Sequence, residues 1–346
     1  MNVEAMMERS GPAATQDVGE HAPLLSVENL TVHFNIPRGI LGRQNDVVQA
    51  VSDVSFDIRQ GETLGLVGES GSGKSTVGKA ILKLLEPTSG RILFDGMDIS
   101  GHGPRRMRAI RRDMQVVFQD PFSSLNPRMT AGYLVGEPLV IHGIARGRDK
   151  EERVAELFRR VGLRPDQMRR YPHEFSGGQR QRVCIARALA LEPRLIIADE
   201  AVSALDLSIR ASIINLLAEL QEDFGYAYLF IAHDISVVEH ISDRVAVMYL
   251  GRLAEIGRRE DVFRDPQHPY TKALLAAAPI PDPSTRDQRE RIVLTGDIPS
   301  PINPPPGCPF NTRCPHAFGR CREEVPVLRT TTSGQHVACH LNDHST

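Results

Sequence analysis

TLGLVGESGSGKST, residues 63–76, is the stretch on which the fold turns. Its first five residues form a short aliphatic run that suits an interior strand of a buried sheet. The residues behind it, VGKAILKLL (77–85), repeat apolar side chains at helical spacing. Between strand and helix, Gly68 to Ser75 match G-x-x-x-x-G-K-[ST] in the context that motif requires. Gly68, Gly71 and Gly73 let the backbone curl so that its N–H groups converge on phosphate oxygens. The helix N-terminus adds partial positive charge at the same point. Lys74 is then expected to reach the β- and γ-phosphates and Ser75 to place its hydroxyl on Mg²⁺, with Glu69, Ser70, Ser72 and Thr76 completing the nucleotide loop. The bland alternative is a glycine-rich turn that binds nothing. Average residue frequencies put a chance match at about 1 in 100 for a chain of this length, before the flanking strand and helix are required.

Working outward, LSVENLTVHF (25–34) and VSFDI (54–58) alternate as half-buried strands do, with a Gly-containing polar loop expected between them. RILFDGMDI (91–99) reads as a hairpin around Asp95-Gly96, and RVAVMYLGRLAEIG (244–257) as another. EERVAELFRRVGL (151–163) puts Val154, Leu157, Phe158 and Val161 on one helical face. LIIAD (195–199) and YLFIAHD (228–234) are aliphatic strands, and the helix between them carries Ile209, Ile213, Leu216, Leu217, Leu220 and Phe224 on one stripe. Strand–helix–strand order means a parallel sheet covered by helices, an α/β fold. Asp199 ends its strand and is expected to meet Mg²⁺ through water, while Glu200 beside it could orient or deprotonate the attacking water. Alone, such an acidic pair reads as a helix cap or a surface pair; the upstream loop changes that reading.

The chain has 346 residues, room for about two units. Lysine and arginine (41) nearly balance aspartate and glutamate (43), so no basic excess marks a nucleic-acid binder. A hydrophobic fraction of 41% supports a real core and argues against wholesale disorder, and the absence of tryptophan makes that core mostly aliphatic. Residues 1–23 read as a disordered tail, not a signal peptide. No apolar run of roughly 18 residues encodes a membrane span. Five cysteines are too few for a disulfide scaffold. From Pro279 to Pro315 prolines crowd the chain, so that region is expected to be a loop-rich extension, and it opens onto Cys308, Cys314, Cys321 and Cys339.

A second phosphate-seeking element lies about one hundred residues after the first. EFSGGQRQR (174–182) precedes the helical VCIARALAL, so Ser176, Gly177, Gly178 and Gln179 offer approachable amides at a helix start. A plain Ser N-cap with a flexible Gly pair is the alternative. With GESGSGKST, Gln119 in VVFQDP, FSGGQ, IIADE, SALD (203–206) and His233 in IAHD in this order, the chain resembles the ATP-binding cassette (ABC) ATPases over residues 25 to about 260. The resemblance implies a P-loop NTPase nucleotide-binding domain over 24–265 with a helical subdomain inserted at about 120–185. It also implies a dimer that sandwiches two ATP, in which Ser176–Gln179 contact the nucleotide of the partner. By the same match Gln119 joins Ser75 and Asp199 around Mg²⁺, Asp206 lies in the loop crossing the interface, and Glu200 and His233 are catalytic. Taken singly, a Gln or a strand-end His is more often a satisfied structural group. Two departures stand out: Ala201 replaces the proline usual after the acidic pair, and Phe34, the candidate for stacking on adenine, lies far from Val54 in sequence.

QDPFSSLNPRMT (119–130), YPHEFSGGQRQR (171–182), HPYTKALL (268–275) and GDIPSPINPPPGCPF (296–310) are similar to ATPase subunits of oligopeptide and dipeptide importers, particularly the F-type. That implies a D-type partner ATPase, two transmembrane permease subunits and an extracytoplasmic peptide-binding protein, with the chain peripheral on the cytoplasmic face of the inner membrane and no nucleic acid involved. Nickel and glutathione importers carry near-identical motifs. Rivals of other classes are a soluble cassette ATPase of translation or repair and a metal-sensing regulatory protein with a vestigial ATPase. The cysteines follow C-x5-C-x6-C-x17-C. In a reducing compartment, clustered thiols point to Zn²⁺ or an Fe–S cluster before a disulfide, and the family carries a [4Fe–4S] cluster on this pattern. His316, His336 and His340 keep zinc open, and unligated thiols in the extension (266–346) are the alternative. Cys184, behind the Ser-Gly-Gly-Gln stretch, reads as core. RRMRAIRR (105–112) reads as a solvated helix face.

Overall fold

A computed structural model describes residues 22–38, 44–277 and 296–343. The expected N-terminal tail lies almost entirely outside these residues, as do most of the first prolines of the extension. In chain order the elements are β1 (Leu25–Arg38), β2 (Gln44–Ile58), β3 (Thr63–Val67), α1 (Lys74–Ile81), β4 (Ser89–Phe94), β5 (Met97–Asp98), α2 (Pro104–Asp113) and β6 (Met114–Val117). Four helices follow without a strand: α3 (Pro121–Ser124), α4 (Ala131–Ile141), α5 (Gly147–Arg160) and α6 (Gly177–Leu189). Then come β7 (Leu195–Asp199), α7 (Leu207–Phe224), β8 (Ala227–Ala232), α8 (Ile235–Ile241), β9 (Arg244–Tyr249), β10 (Arg252–Arg258), α9 (Arg259–Arg264), α10 (Pro269–Ala277), α11 (Gly319–Glu323), β11 (Arg329–Thr330) and β12 (His336–Val337).

Two sheets organise the molecule. An antiparallel sheet runs β2-β1-β4-β5, and an eight-stranded sheet runs β11-β12-β10-β9-β3-β8-β7-β6. The strands β6, β7, β8, β3 and β9 of the larger sheet are mutually parallel, and β10, β12 and β11 extend it antiparallel. All residues of β3, β7 and β8 are buried, because helices or the second sheet cover both faces. The period of two shows in the cores: Leu64, Leu66, Leu229 and Ile231 pack towards β1 and α1, whereas Val67, Tyr228 and Phe230 face α6, α7 and α8. In α7 the middle of the expected stripe, Ile213, Leu216, Leu217 and Leu220, is buried; at about 1.5–3 kcal/mol for each large aliphatic side chain, this face anchors the helix. Phe224 at its end is exposed, with the Arg160 guanidinium 4.7 Å above its ring.

Both expected hairpins, β4–β5 and β9–β10, are present. Of the polar loop expected between residues 34 and 54, the described residues 35–38 and 44–53 are strand. They lengthen β1 and β2 in a ribbon that pairs Phe34 with Val48 and Ile36 with Asp46. Three register shifts between Val27 and His33 interrupt the alternation that marks a strand in sequence. The outer ribbon also leaves Phe34, Ile36 and Val47 exposed, so no inward-facing apolar set announced it.

Candidate functional site

The register of the parallel strands assembles the site. Val67 of β3 lies beside Ala232 of β8, Ile231 of β8 beside Asp199 of β7, and Ala198 of β7 beside Val117 of β6. The chain therefore leaves β3 at Gly68, β8 at His233, β7 at Glu200 and β6 just before Gln119 along one edge. This is the carboxyl edge of a parallel sheet, where α/β folds bind ligands.

At that edge Gly68, Gly71 and Gly73 all take positive φ, with Gly73 at 102° capping α1. A Cβ on Gly68 would lie 2.1 Å from the Met248 carbonyl oxygen, and one on Gly73 2.2 Å from that of Ala50, so the curl admits only glycine there. Lys74, which begins α1, is 4% exposed; its ammonium donates to the carbonyls of Gly68 (2.8 Å) and Glu69 (2.9 Å) and to Ser72 Oγ (3.3 Å). Burial lowers the Lys74 pKa, while Glu200, Asp199 and Glu69 oppose the shift by favouring the charged form. Ser75 Oγ donates to Asp199 Oδ1 at 2.6 Å. Burial raises the Asp199 pKa, partly offset by that bond and by Lys79. A hydroxyl and a carboxylate held together beside a buried ammonium are hard oxygen donors of the kind Mg²⁺ takes alongside phosphate. The cradle thus fits a Mg²⁺-nucleotide.

Glu200 has φ 48°, a left-handed backbone unusual for a non-glycine residue and costing of order 1–3 kcal/mol. Its N–H donates to the Ile231 carbonyl (2.9 Å), and its carbonyl accepts from the N–H (3.1 Å) and hydroxyl (2.9 Å) of Ser203. The strain falls on Glu200 itself and turns the side chain towards its neighbours. Gln119 Nε2 donates to Glu200 Oε2 at 2.8 Å, and His233 Nδ1 lies 3.6 Å from the same oxygen. The structure thus brings Ser75, Asp199, Glu200, Gln119 and His233 into one chain of contacts.

Ser176–Gln179 start a different element. Ser176 caps α6 in a reciprocal capping box with Gln179, its hydroxyl accepting from the Gln179 N–H at 3.4 Å and its own N–H donating to Gln179 Oε1 at 3.1 Å. Gly177 and Gly178 form the first turn of that helix. Asp206 stands exposed at the N-cap of α7 without a side-chain capping bond, and Leu207 after it is 80% exposed.

The chain matches the family model described as "ABC transporter" over residues 51–203 and that described as "Oligopeptide/dipeptide transporter, C-terminal region" over residues 254–321. A probable peptide ABC transporter ATP-binding protein of Sinorhizobium fredii is 55% identical over 318 residues, which cover 92% of this chain and 90% of that one. The chain belongs to the ABC transporter ATP-binding family. An oligopeptide transport ATP-binding protein of Bacillus subtilis is 52% identical, with 92% and 97% of the two chains covered. Among solved structures, a dimeric ATP-binding cassette in a post-hydrolysis state bound to ADP and Pi is similar with a TM-score of 0.60 and 31% identity, over 68% of this chain and 98% of that one. The fold is that of a P-loop ABC ATPase, and the chain is an ABC ATPase that uses ATP with Mg²⁺.

The C-terminal part of the chain reaches the site, which no local signal in the sequence marked. Glu69 donates its N–H to the Tyr270 hydroxyl (2.9 Å) and accepts Arg313 on both carboxylate oxygens (2.7 and 3.1 Å). Cys308, Cys314, Cys321 and Cys339 line one cavity with His268, His316 and His340. His336, kept open as a ligand, instead lies on β12 with its ring against the Thr330 hydroxyl at 3.0 Å. Burial pushes the Cys308 thiol up to about 12 and the Cys339 thiol to about 11. Among the described residues, no group of three or more His, Cys, Asp or Glu is arranged to hold a metal ion. The four thiols converge without forming a ligand shell. Cys184 is buried in α6 within the main core.

His268 is buried beside that cavity. Its Nδ1 accepts from the Tyr270 N–H at 3.0 Å, and burial pushes its pKa down from 6.5 to about 4. Between those values the unfolded chain binds more protons than the folded one, so stability falls as pH drops through 6.5 towards 4. Denaturant titration is expected to show about 2 kcal/mol lost by about pH 5 relative to pH 7, and His268→Gln should flatten that slope.

Proposed function

We propose that the chain powers import of peptides through a membrane ABC permease by hydrolysing ATP. The observation that carries this reading is continuous similarity, over 92% of the chain, to relatives named as peptide importer ATP-binding proteins. The match to an oligopeptide/dipeptide transporter C-terminal region supports it. Among the described residues no helix is long and apolar enough to cross a membrane, so translocation falls to other subunits. The partners are a second, D-type ATPase, two permease subunits and an extracytoplasmic peptide-binding protein, with the chain peripheral on the cytoplasmic face. In this reading residues 24–265 form the nucleotide-binding domain, α3 to α6 its helical subdomain, and the residues from 266 the extension.

Bound Mg²⁺-ATP supplies the phosphoanhydride and the Lewis acid. Lys74 and the loop amides would hold the phosphates, and Ser75, Asp199 and Gln119 would hold the metal. Glu200, steadied by Gln119 and His233, accepts a proton from the attacking water at its carboxylate. Ser176–Gln179, of which Ser176 is exposed, and the exposed Asp206 make no bond to the cradle of their own chain and face the nucleotide of the partner subunit. The dimeric cassette with ADP and Pi among the structural relatives supports that arrangement. A metal or [4Fe–4S] cluster on Cys308, Cys314, Cys321 and Cys339 is supported by their convergence alone, and no step of the ATPase cycle runs through it. Affinity capture of the tagged chain from solubilised membranes is expected to recover a second ATPase, a permease pair and a peptide-binding protein. Recovery of a nickel or glutathione system, or of no membrane protein, overturns the peptide reading.

A further inference from the structure

Glu69, the residue after Gly68 in the phosphate loop, is gripped at every polar group. Its N–H donates to the hydroxyl of Tyr270 on α10, its carbonyl accepts from Lys74, and its carboxylate accepts both arms of the Arg313 fork. Tyr270 and Arg313 arrive from 201 and 244 residues away. Arg313 is 7% exposed on its side chain and also donates to the Tyr249 hydroxyl at 3.4 Å. The turn that delivers it runs between two of the cavity cysteines, the Phe310 carbonyl accepting from the N–H groups of Arg313 (3.0 Å) and Cys314 (2.9 Å). Phe310, 1% exposed, packs on the rings of Tyr249 (5.2 Å), Tyr270 (5.4 Å) and His268 (5.9 Å). A rigid aromatic block therefore lies between the cysteine cavity and the nucleotide cradle.

We propose that Arg313 and Tyr270 are positioning residues for the phosphate-binding loop, holding Glu69 so that affinity for ATP is set from the cysteine-bearing extension. Neither residue needs to touch nucleotide. The Glu69 carbonyl that they steady is one of the three oxygens placing the Lys74 ammonium, so releasing Glu69 releases the cation from its aim. A planar fork on a carboxylate in a largely desolvated setting is geometrically specific, and lysine reproduces only part of it.

The inference rests on the reading of this loop as the ATP site, and the test separates the two. The full-length chain is titrated with a fluorescent ATP analogue and Mg²⁺, and its melting temperature is followed alongside. Arg313→Gln is expected to weaken nucleotide binding about tenfold, the scale of one charged hydrogen-bonding interaction. Arg313→Lys should recover part of that loss. Glu69→Gln should also weaken binding, and the double variant should bind no worse than the poorer single one, because both changes break one contact. Arg313→Gln that melts earlier yet binds nucleotide as the parent chain does overturns the proposal, as does a loss that adds fully to that of Glu69→Gln. Lys74→Met is the control: wild-type binding by that variant would refute the ATP-site reading itself.

Discussion

Glu200→Gln is expected to leave ATP binding intact while turnover of the assembled transporter falls by about 10²–10⁴-fold, the usual contribution of a general base. The substitution preserves volume and the acceptor that Gln119 Nε2 meets at 2.8 Å, so the side chain should keep its place. It removes the carboxylate that would take the proton and leaves the strained backbone, the bond to Ile231 and those from Ser203 unchanged. Phosphate release by the transporter in membranes, beside nucleotide titration of the purified chain, measures both halves. Turnover equal to that of the parent protein would remove Glu200 from the chemistry. Weakened binding with proportionate turnover would recast it as a structural anchor.

Lys74→Met should act at the opposite step. Methionine roughly conserves the volume of the stem, so the helix start at Gly73 should survive. What disappears is the ammonium that donates to Gly68, Glu69 and Ser72 and sits among Glu200, Asp199 and Glu69. Two or more charge-assisted hydrogen bonds to phosphate, at about 1.5–3 kcal/mol each, set the expected loss of affinity at roughly hundredfold or more. Unlike Glu200→Gln, this variant should fail to saturate with nucleotide in the titration. An unchanged dissociation constant would place the nucleotide outside this loop.

Much of the candidate site is legible in the sequence, and for a physical reason. A phosphate cradle is built from consecutive residues, so its glycines, Lys74 and Ser75 sit together in the chain, and the turn that glycine alone permits leaves a visible signature. The acidic pair and His233 were legible because each ends a strand whose aliphatic run is unmistakable. The length of the β1–β2 ribbon is not legible in the sequence, because bulges break its alternation and its outer half meets solvent on both faces. The left-handed backbone of Glu200 left no trace either, since glutamate carries no preference for that conformation.

Composition, periodicity and motif order are enough to specify an α/β nucleotide-binding chain, its phosphate loop and its acidic strand end, because those features are encoded locally. Which of them meet was settled by folding. Strand register alone sets Gly68, Gln119, Glu200 and His233 along one edge. Only packing of the extension brings Arg313 onto Glu69 across 244 residues. Contacts of that range depend on how buried faces choose their neighbours, and a lone arginine between two cysteines carries no mark of the partner it will find.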